Sequence, residues 1–246
     1  MLRSFSVASV QAYHRPTNLD EAAKFLTKAH CWALAGGTVV VPEARKQRPE
    51  GIELIDLQAL ALDVINVDGE HLTLGAMVRL GDLSQGDQVP DLIKEAARRE
   101  LPSALRNQAT VGGTVAQADP ESLLLAALLV HDSSVEFHDR PNSSLGDYLS
   151  GDRQGLILRI VLETSGHGSI ASTARTPADK PIVAALARST NDGPRLALTG
   201  VAATPIEVSP TAPVDNLAPP DDFRGSAAYR THLASVLSTR AVSEVK

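Results

Sequence analysis

Two short glycine loops are the residues of this chain best suited to chemistry. The first is Ala35-Gly36-Gly37-Thr38 and the second is Ala109-Thr110-Val111-Gly112-Gly113-Thr114. A Gly-Gly step lets the backbone approach a ligand and turn several N–H groups toward it, and a helix beginning after the step adds partial positive charge. One such loop is weak evidence, because diglycines are common in tight turns that bind nothing. Two of them, each between a strand-like and a helix-like stretch, predict a dinucleotide whose pyrophosphate is held between two parts of one fold.

The other polar residues form no pattern that indicates a catalytic or metal centre. Cys31 is the single cysteine, so we expect no internal disulfide, no four-thiolate iron–sulfur cluster and no Cys-based zinc site. Its apolar neighbours favour an inert buried thiol. The seven histidines lack metal-ligand spacing, and Asp119 and Glu121 are interpreted as acids at the start of a helix rather than as an acid–base pair. We therefore assign no catalytic residue and no metal ligand.

Composition narrows the class of protein. The chain has 246 residues, of which 43% are hydrophobic and 3% aromatic, enough for an aliphatic core in one large or two modest domains. The formal net charge of −6 has no basic run beside it, so a nucleic-acid partner is not expected. No apolar run is long enough to span a bilayer, and the first ten residues lack the apolar core of a signal peptide. We expect a cytoplasmic protein.

Apolar periodicity predicts a mixed α/β chain in two parts. In the first part we predict helices near 19–26, 39–46, 90–97 and 121–130, strands at 31–35, 52–57, 135–137 and 156–162, and a hairpin turning at Asp68-Gly69. A change of composition after Glu163 predicts a domain boundary. In the second part we predict a helix over 181–187, a strand over 195–202 and a final amphipathic helix with Tyr229, Leu233, Val236 and Leu237 on one face.

A series of motifs runs along the chain in fixed order. They are Tyr13-x-Arg15-Pro16, Ala35-Gly36-Gly37-Thr38, Leu54-Ile55-Asp56-Leu57, Leu74-Gly75-Ala76, Arg106-Asn107-x-x-Thr110-x-Gly112-Gly113, Ala174-Arg175-Thr176-Pro177-Ala178-Asp179 and Tyr229-Arg230. Their order and spacing resemble the flavin-binding medium subunit of molybdenum hydroxylases, a family that includes aerobic carbon monoxide dehydrogenase and xanthine dehydrogenase. The resemblance implies an α+β (mixed α/β) fold. A two-part PCMH-type FAD-binding domain over 1–164, with a small parallel unit and a mixed or antiparallel sheet, precedes a small α+β domain over 165–246.

The resemblance also implies a function, that of an oxidoreductase subunit that binds FAD and passes electrons onward. Molybdopterin and iron–sulfur clusters would belong to a large and a small partner subunit, and the external acceptor would be NAD, a quinone or oxygen. The chemistry then belongs to the cofactor. Carried over to this chain, the FAD contacts fall on Ala35, Gly36, Gly37, Thr38, Val39, Thr110, Val111, Gly112, Gly113 and Thr114.

Three departures from the family pattern leave other interpretations open. Thr114 stands where the family usually has Asn, and Leu123 stands where an Asp is expected to contact the ribose or ribityl hydroxyls, with Glu121 as its candidate substitute. Ser172-Thr173 occupies a stretch where Lys is common. Each lost hydrogen bond costs about 1–3 kcal/mol of affinity. A flavin-free structural subunit of the same complex is therefore the alternative, and a stand-alone flavoprotein oxidase is a third interpretation.

Overall fold

The computed structural model describes residues 10–46, 51–176 and 179–246. Residues 1–9, which bear on the signal-peptide prediction, and Pro177-Ala178 of the sixth motif lie outside them. In chain order the elements are β1 (Val10–His14), α1 (Leu19–Leu26), β2 (Cys31–Leu34), α2 (Val40–Ala44), β3 (Ile52–Asp56), β4 (Ile65–Asp68), β5 (His71–Gly75), α3 (Leu80–Leu83), α4 (Asp91–Glu100), α5 (Ser103–Arg106), α6 (Val111–Gln117), α7 (Leu123–Val130), β6 (Ser134–Phe137), β7 (Ser143–Ser144), α8 (Leu145–Ser150), β8 (Ile157–Glu163), β9 (Gly168–Thr173), β10 (Val183–Arg188), β11 (Arg195–Thr199), β12 (Ile206–Val208) and α9 (Ala227–Ser243).

The small parallel unit is confirmed as a three-stranded sheet in the order β1-β3-β2. Asn18 caps α1 by accepting a hydrogen bond from the Glu21 N–H at 2.9 Å, as its position before the apolar stripe predicts. The buried Ala22 of α1 packs in one apolar cluster with Ile55 of β3. Because β2 and β3 run parallel, the first glycine loop follows β2 at the same end of the sheet at which β3 ends.

A five-stranded antiparallel sheet, ordered β4-β5-β8-β6-β7, forms the second part of the fold. The predicted hairpin is present as β4 and β5, and Gly69 in its turn has φ +59°, a conformation that glycine adopts without strain. Helix α7 is buried along its whole length and packs against α4, β10 and β11. A helix that is apolar on every side must lie inside the protein.

The C-terminal part is a four-stranded antiparallel sheet, β12-β11-β10-β9, covered by α9. The helix predicted over 181–187 is wrong, because most of this segment lies in strand β10, Val183–Arg188. Its alternate residues face two different apolar clusters, one shared with α7 and one with α9. A strand buried on both faces is a continuous apolar run, which in alanine-rich sequence looks the same as a helix.

The face of the last helix also differs from its prediction. Leu233 and Leu237 are buried as expected, but Tyr229 and Val236 are 43% and 42% exposed. Arg230 takes their place in the core, where its guanidinium donates to the carbonyls of Ile182 and Gly200 and to the Asp222 carboxylate. These hydrogen bonds compensate for burying the Arg230 charge, at a position that the predicted apolar face did not include.

The predicted domain boundary falls in the turn between β8 and β9. One apolar cluster crosses it, since Leu186 and Ala197 pack with residues of α7. The division into 1–164 and 165–246 therefore stays a prediction. Within the described ranges, no helix is long and apolar enough to cross a membrane.

His131 follows α7 and is a buried titratable group. Its Nδ1 lies 2.6 Å from the Glu163 carbonyl oxygen, so Nδ1 must be the donor. Its Nε2 is buried and has no partner among the described residues. Burial lowers the pKa of His131 from 6.5 to about 4, because the apolar surroundings disfavour the imidazolium ion.

We expect the free energy of unfolding to fall by about 3 kcal/mol through His131 as the pH drops from 7 to 4. The unfolded chain takes up the proton near pH 6.5, whereas the folded chain resists it until about pH 4. His131→Asn keeps a donor near the position of Nδ1 and should remove this part of the pH dependence in urea unfolding. The exposed His71 provides the control His71→Asn, and equal pH dependence in all three proteins would contradict the assignment.

Candidate functional site

A cavity of about 480 Å³ lies where β2 ends and α6 begins, a volume in the usual range for small-molecule sites. Most of the predicted cofactor-binding residues line it together: Ala35, Gly36, Gly37, Thr38, Val39, Thr110, Gly112, Gly113 and Thr114. The two glycine loops, remote in sequence, thus form parts of one wall. The cavity is the candidate functional site.

The loops meet because two of the glycines have no side chain. A Cβ built on Gly36 would lie 1.9 Å from the carbonyl oxygen of Gln108, and one built on Gly112 would lie 2.7 Å from the Ala76 Cβ. Neither position can hold even an alanine without displacing the backbone beside it. Gly36 and Gly112 are therefore required for close packing of the cavity wall, in addition to any contact with a ligand.

The first loop offers backbone donors to the cavity. Gly37 has φ +71°, which turns the chain from β2 into α2. The carbonyls of Gly37 and Val39 accept from the Val41 and Glu43 N–H groups, each at 3.1 Å. The N–H groups from Gly36 to Val39 donate to no group among the described residues, so they are available to the oxygens of an anionic ligand.

The second loop differs from expectation, since its backbone donors are already used. The Val111 and Gly112 N–H groups donate to the carbonyls of Val78 at 2.9 Å and Ala76 at 2.8 Å. The Gly113 N–H donates to the Thr110 hydroxyl at 3.1 Å, which caps α6. The second loop therefore contributes space for a ligand rather than hydrogen-bond donors. The exposed Gly113 has no side chain, so a ligand can lie directly against the backbone there.

A charged group on the cavity wall went unrecognised in the sequence. The Lys180 ammonium lies 2.6 Å from Asp119 Oδ2, and Lys180 is the one cationic side chain among the described lining residues. Glu100 also lines the cavity and is 6% exposed. Its carboxylate accepts from the Leu124 N–H at 2.9 Å, and burial raises its pKa, because desolvation disfavours the charged form.

Three positions named from the sequence lie outside the cavity lining. Val111 is fully buried in the apolar core. The Glu121 carboxylate forms an ion pair with Arg224, so it is turned away from the role suggested for it. Leu123 is 1% exposed at the start of α7. An aspartate at position 123 would be a buried charge, and Asp119 is the acid that the fold places at the wall instead.

Apart from the polar Gln117, the rest of the lining is apolar. Its apolar part is formed by Leu26, Ala33, Val40, Leu57, Ala76, Met77, Leu101, Ala109, Ala116, Gly155, Leu156 and Ile157. Trp32, which precedes the first loop by three residues, is not among the lining residues. Tyr13 donates to the buried Asp56 carboxylate, and both residues therefore have a structural role. The cavity combines backbone donors at one side with a broad apolar surface for a planar ring.

Comparison with known proteins agrees with this geometry. Protein YgfM of Escherichia coli K12 is 29% identical over 244 residues, covering 93% of each chain. The carbon monoxide dehydrogenase medium chain of Afipia carboxidovorans is 26% identical over 278 residues, covering 95% of this chain and 96% of that one. A carbon monoxide dehydrogenase structure from Hydrogenophaga pseudoflava, 22% identical, superposes with a TM-score of 0.87 over 98% of each chain, which shows the same fold.

Residues 4–162 match the family model described as the FAD binding domain in molybdopterin dehydrogenase. The match includes both glycine loops and every strand of the parallel and five-stranded sheets except the last residue of β8. The resemblance stated from the motifs and the expected mixed α/β fold are thus confirmed. The chain belongs to the family of FAD-binding domains of molybdopterin dehydrogenases, and it is an oxidoreductase subunit whose cofactor is FAD.

Proposed function

We propose that the chain is the electron-transfer subunit of a molybdenum-containing dehydrogenase and passes electrons from iron–sulfur clusters of a partner through FAD to an external acceptor. The observation that carries the proposal is the cavity lined by both glycine loops, within a chain of this family. When bound, FAD supplies the acceptance and release of electrons. Among the described residues, the cavity wall contains no thiol.

The residues present suit FAD. The free N–H groups from Gly36 to Val39 would hold the diphosphate, with charge-assisted hydrogen bonds worth about 1.5–3 kcal/mol each. Lys180 adds a positive charge at the same cavity, and Asp119 offers acceptors for ribose or ribityl hydroxyls. The apolar lining would exclude water from the flavin ring. Both loops thus keep their proposed role in binding FAD. The first supplies N–H donors, and the second supplies an open backbone surface.

The proposed partners follow from the relatives. Three of them are named medium chains, two of carbon monoxide dehydrogenases and one of a glyceraldehyde dehydrogenase of Sulfolobus acidocaldarius. We therefore propose a large molybdopterin subunit and a small iron–sulfur subunit as partners of this chain. NAD, a quinone or oxygen is the proposed acceptor, and the cytoplasmic location stays a prediction.

A flavin-free structural subunit is the second candidate, and specific observations favour it. The N–H groups from Val111 to Thr114 in the second loop already donate to acceptors within the chain. The Thr114 hydroxyl likewise donates to the Thr110 carbonyl and is not a free donor for a ligand. Leu123 is part of the core. A chain that kept the fold for assembly alone would show these features and would take up no flavin.

We expect the purified full-length chain to carry close to one FAD per polypeptide, because the first loop and the apolar lining remain intact. Flavin released by denaturation is measured by absorbance and mass. Anaerobic reduction of the loaded chain, followed by mixing with NAD, a soluble quinone or oxygen, then identifies the acceptor by reoxidation. Absence of FAD after incubation with excess cofactor, alone and with the partner subunits, would establish the structural candidate instead.

Lys180→Gln is expected to weaken FAD binding by roughly 10- to 100-fold, the equivalent of one charge-assisted contact. The Lys180 ammonium is the positive charge that the described lining offers to a diphosphate. Isothermal titration of the flavin-stripped chain measures the effect. Lys94→Gln removes a lysine on α4 that does not line the cavity, and a loss of affinity equal to that of Lys180→Gln would contradict the assignment.

Gly36→Ala is expected to abolish FAD binding and to lower the melting temperature by several degrees. The new methyl group would overlap the Gln108 carbonyl and separate the two loops. Gly146→Ala on α8 is the matched control, since its Cβ would meet nothing closer than 3.9 Å. Normal flavin content in Gly36→Ala would show that the contact between the loops is not needed for binding.

A further inference from the structure

The amino end of the parallel sheet brings together side chains that the sequence keeps apart. Cys31 opens β2 and pairs in register with Glu53 of β3. Residues paired across parallel strands point to the same face of the sheet, so the thiol and the carboxylate are neighbours. His30, next to Cys31 in the chain, reaches the same carboxylate. One donor atom from each of the three lies within 4.8 Å of the others.

Two distances between these donor atoms are close to those around a tetrahedral metal ion. His30 Nε2 lies 3.4 Å from Glu53 Oε1, and Cys31 Sγ lies 3.8 Å from Glu53 Oε2. Zinc bonds of about 2.0–2.3 Å to nitrogen, oxygen and sulfur place ligand atoms roughly 3.3–3.7 Å apart in a tetrahedron. Side-chain rotations that bring one Glu53 oxygen, the thiol and the imidazole nitrogen closer than their present 4.8 Å limit would place all three donors around one ion.

The donor set selects the kind of metal. A thiolate and an imidazole favour zinc and similar borderline-soft divalent ions, whereas calcium and magnesium require oxygen ligands. The thiolate and the carboxylate together balance the two positive charges of the ion. A site with no net charge is favoured here because Cys31 is buried, with 6% of its surface exposed, and burying a net charge is costly.

His14 completes the surroundings of the cluster. Its Nε2 lies 2.8 Å from Glu53 Oε2, and its ring stacks on Phe25 with centroids 4.3 Å apart. A residue that hydrogen-bonds to a ligating carboxylate fixes the orientation of that ligand. His14 belongs to β1, so the third strand of the sheet is tied to the cluster as well.

We propose that His30, Cys31 and Glu53 form a zinc site, with water as the fourth ligand and His14 positioning the carboxylate. The ion joins β2 to β3 at the amino end of the sheet, while the carboxyl end of β2 continues into the first glycine loop. Binding releases the Cys31 proton to solvent and involves no oxidation. The site stabilises the sheet that presents the loop, and it does not depend on FAD.

Cobalt titration of the reduced, metal-stripped full-length chain tests the site. One Co²⁺ per chain should give visible bands of tetrahedral cobalt and a near-ultraviolet thiolate-to-cobalt band, and Zn²⁺ should displace it. Cys31→Ser should abolish the thiolate band. His30→Ala removes an exposed ligand without disturbing the core and should weaken binding at least 10-fold. His14→Gln should keep the band and weaken binding by about 10- to 100-fold.

His71→Ala, which alters an exposed histidine of β5 outside the cluster, is the control and should bind as the unaltered chain does. At equal zinc concentration the melting temperature should rise more for the unaltered chain than for His30→Ala. This comparison tests the site without altering the buried thiol. A chain that gives no cobalt band, or a band that persists in Cys31→Ser, would overturn the proposal. Flavin content plays no part in this readout.

Discussion

The site depends on the contact between Gly36 and the backbone of Gln108. No atom can be inserted between them, since a Cβ on Gly36 would lie 1.9 Å from the carbonyl oxygen. This contact joins the loop after β2 to the segment that leads into α6. Gly112 makes the corresponding contact with Ala76, which adds the end of β5 to the same wall. A cavity with a wall of bare backbone can admit the diphosphate of a dinucleotide at close range.

The elements behind this wall hold it in place because they are buried on all sides. Helix α7 is apolar throughout and lies between the helix α4 and the sheet that contains β10 and β11. Glu100, at the end of α4, accepts a hydrogen bond from the Leu124 N–H of α7 and also lines the cavity. The cavity wall and the core are therefore linked by one buried carboxylate.

Much of the fold could be predicted from local sequence. The Asn18 cap, the hairpin at Gly69 and the two glycine loops each carry their own signal, and the structure contains all of them. Strand β10 could not be recognised, because two-sided burial removes the alternation that identifies a strand. Lys180 and Asp119 are far apart in sequence and meet only through the fold. The same holds for Cys31 and Glu53, which strand register alone makes neighbours.

Amide hydrogen exchange, measured by NMR with and without FAD, tests the central claim most directly. The account predicts fast exchange from Gly36 to Val39 in the free chain, because these N–H groups have no acceptor among the described residues, and strong protection on adding FAD. Val111 to Thr114 should be protected in both states, since their N–H groups are already bonded within the chain. Unchanged exchange from Gly36 to Val39 at saturating FAD would contradict the account.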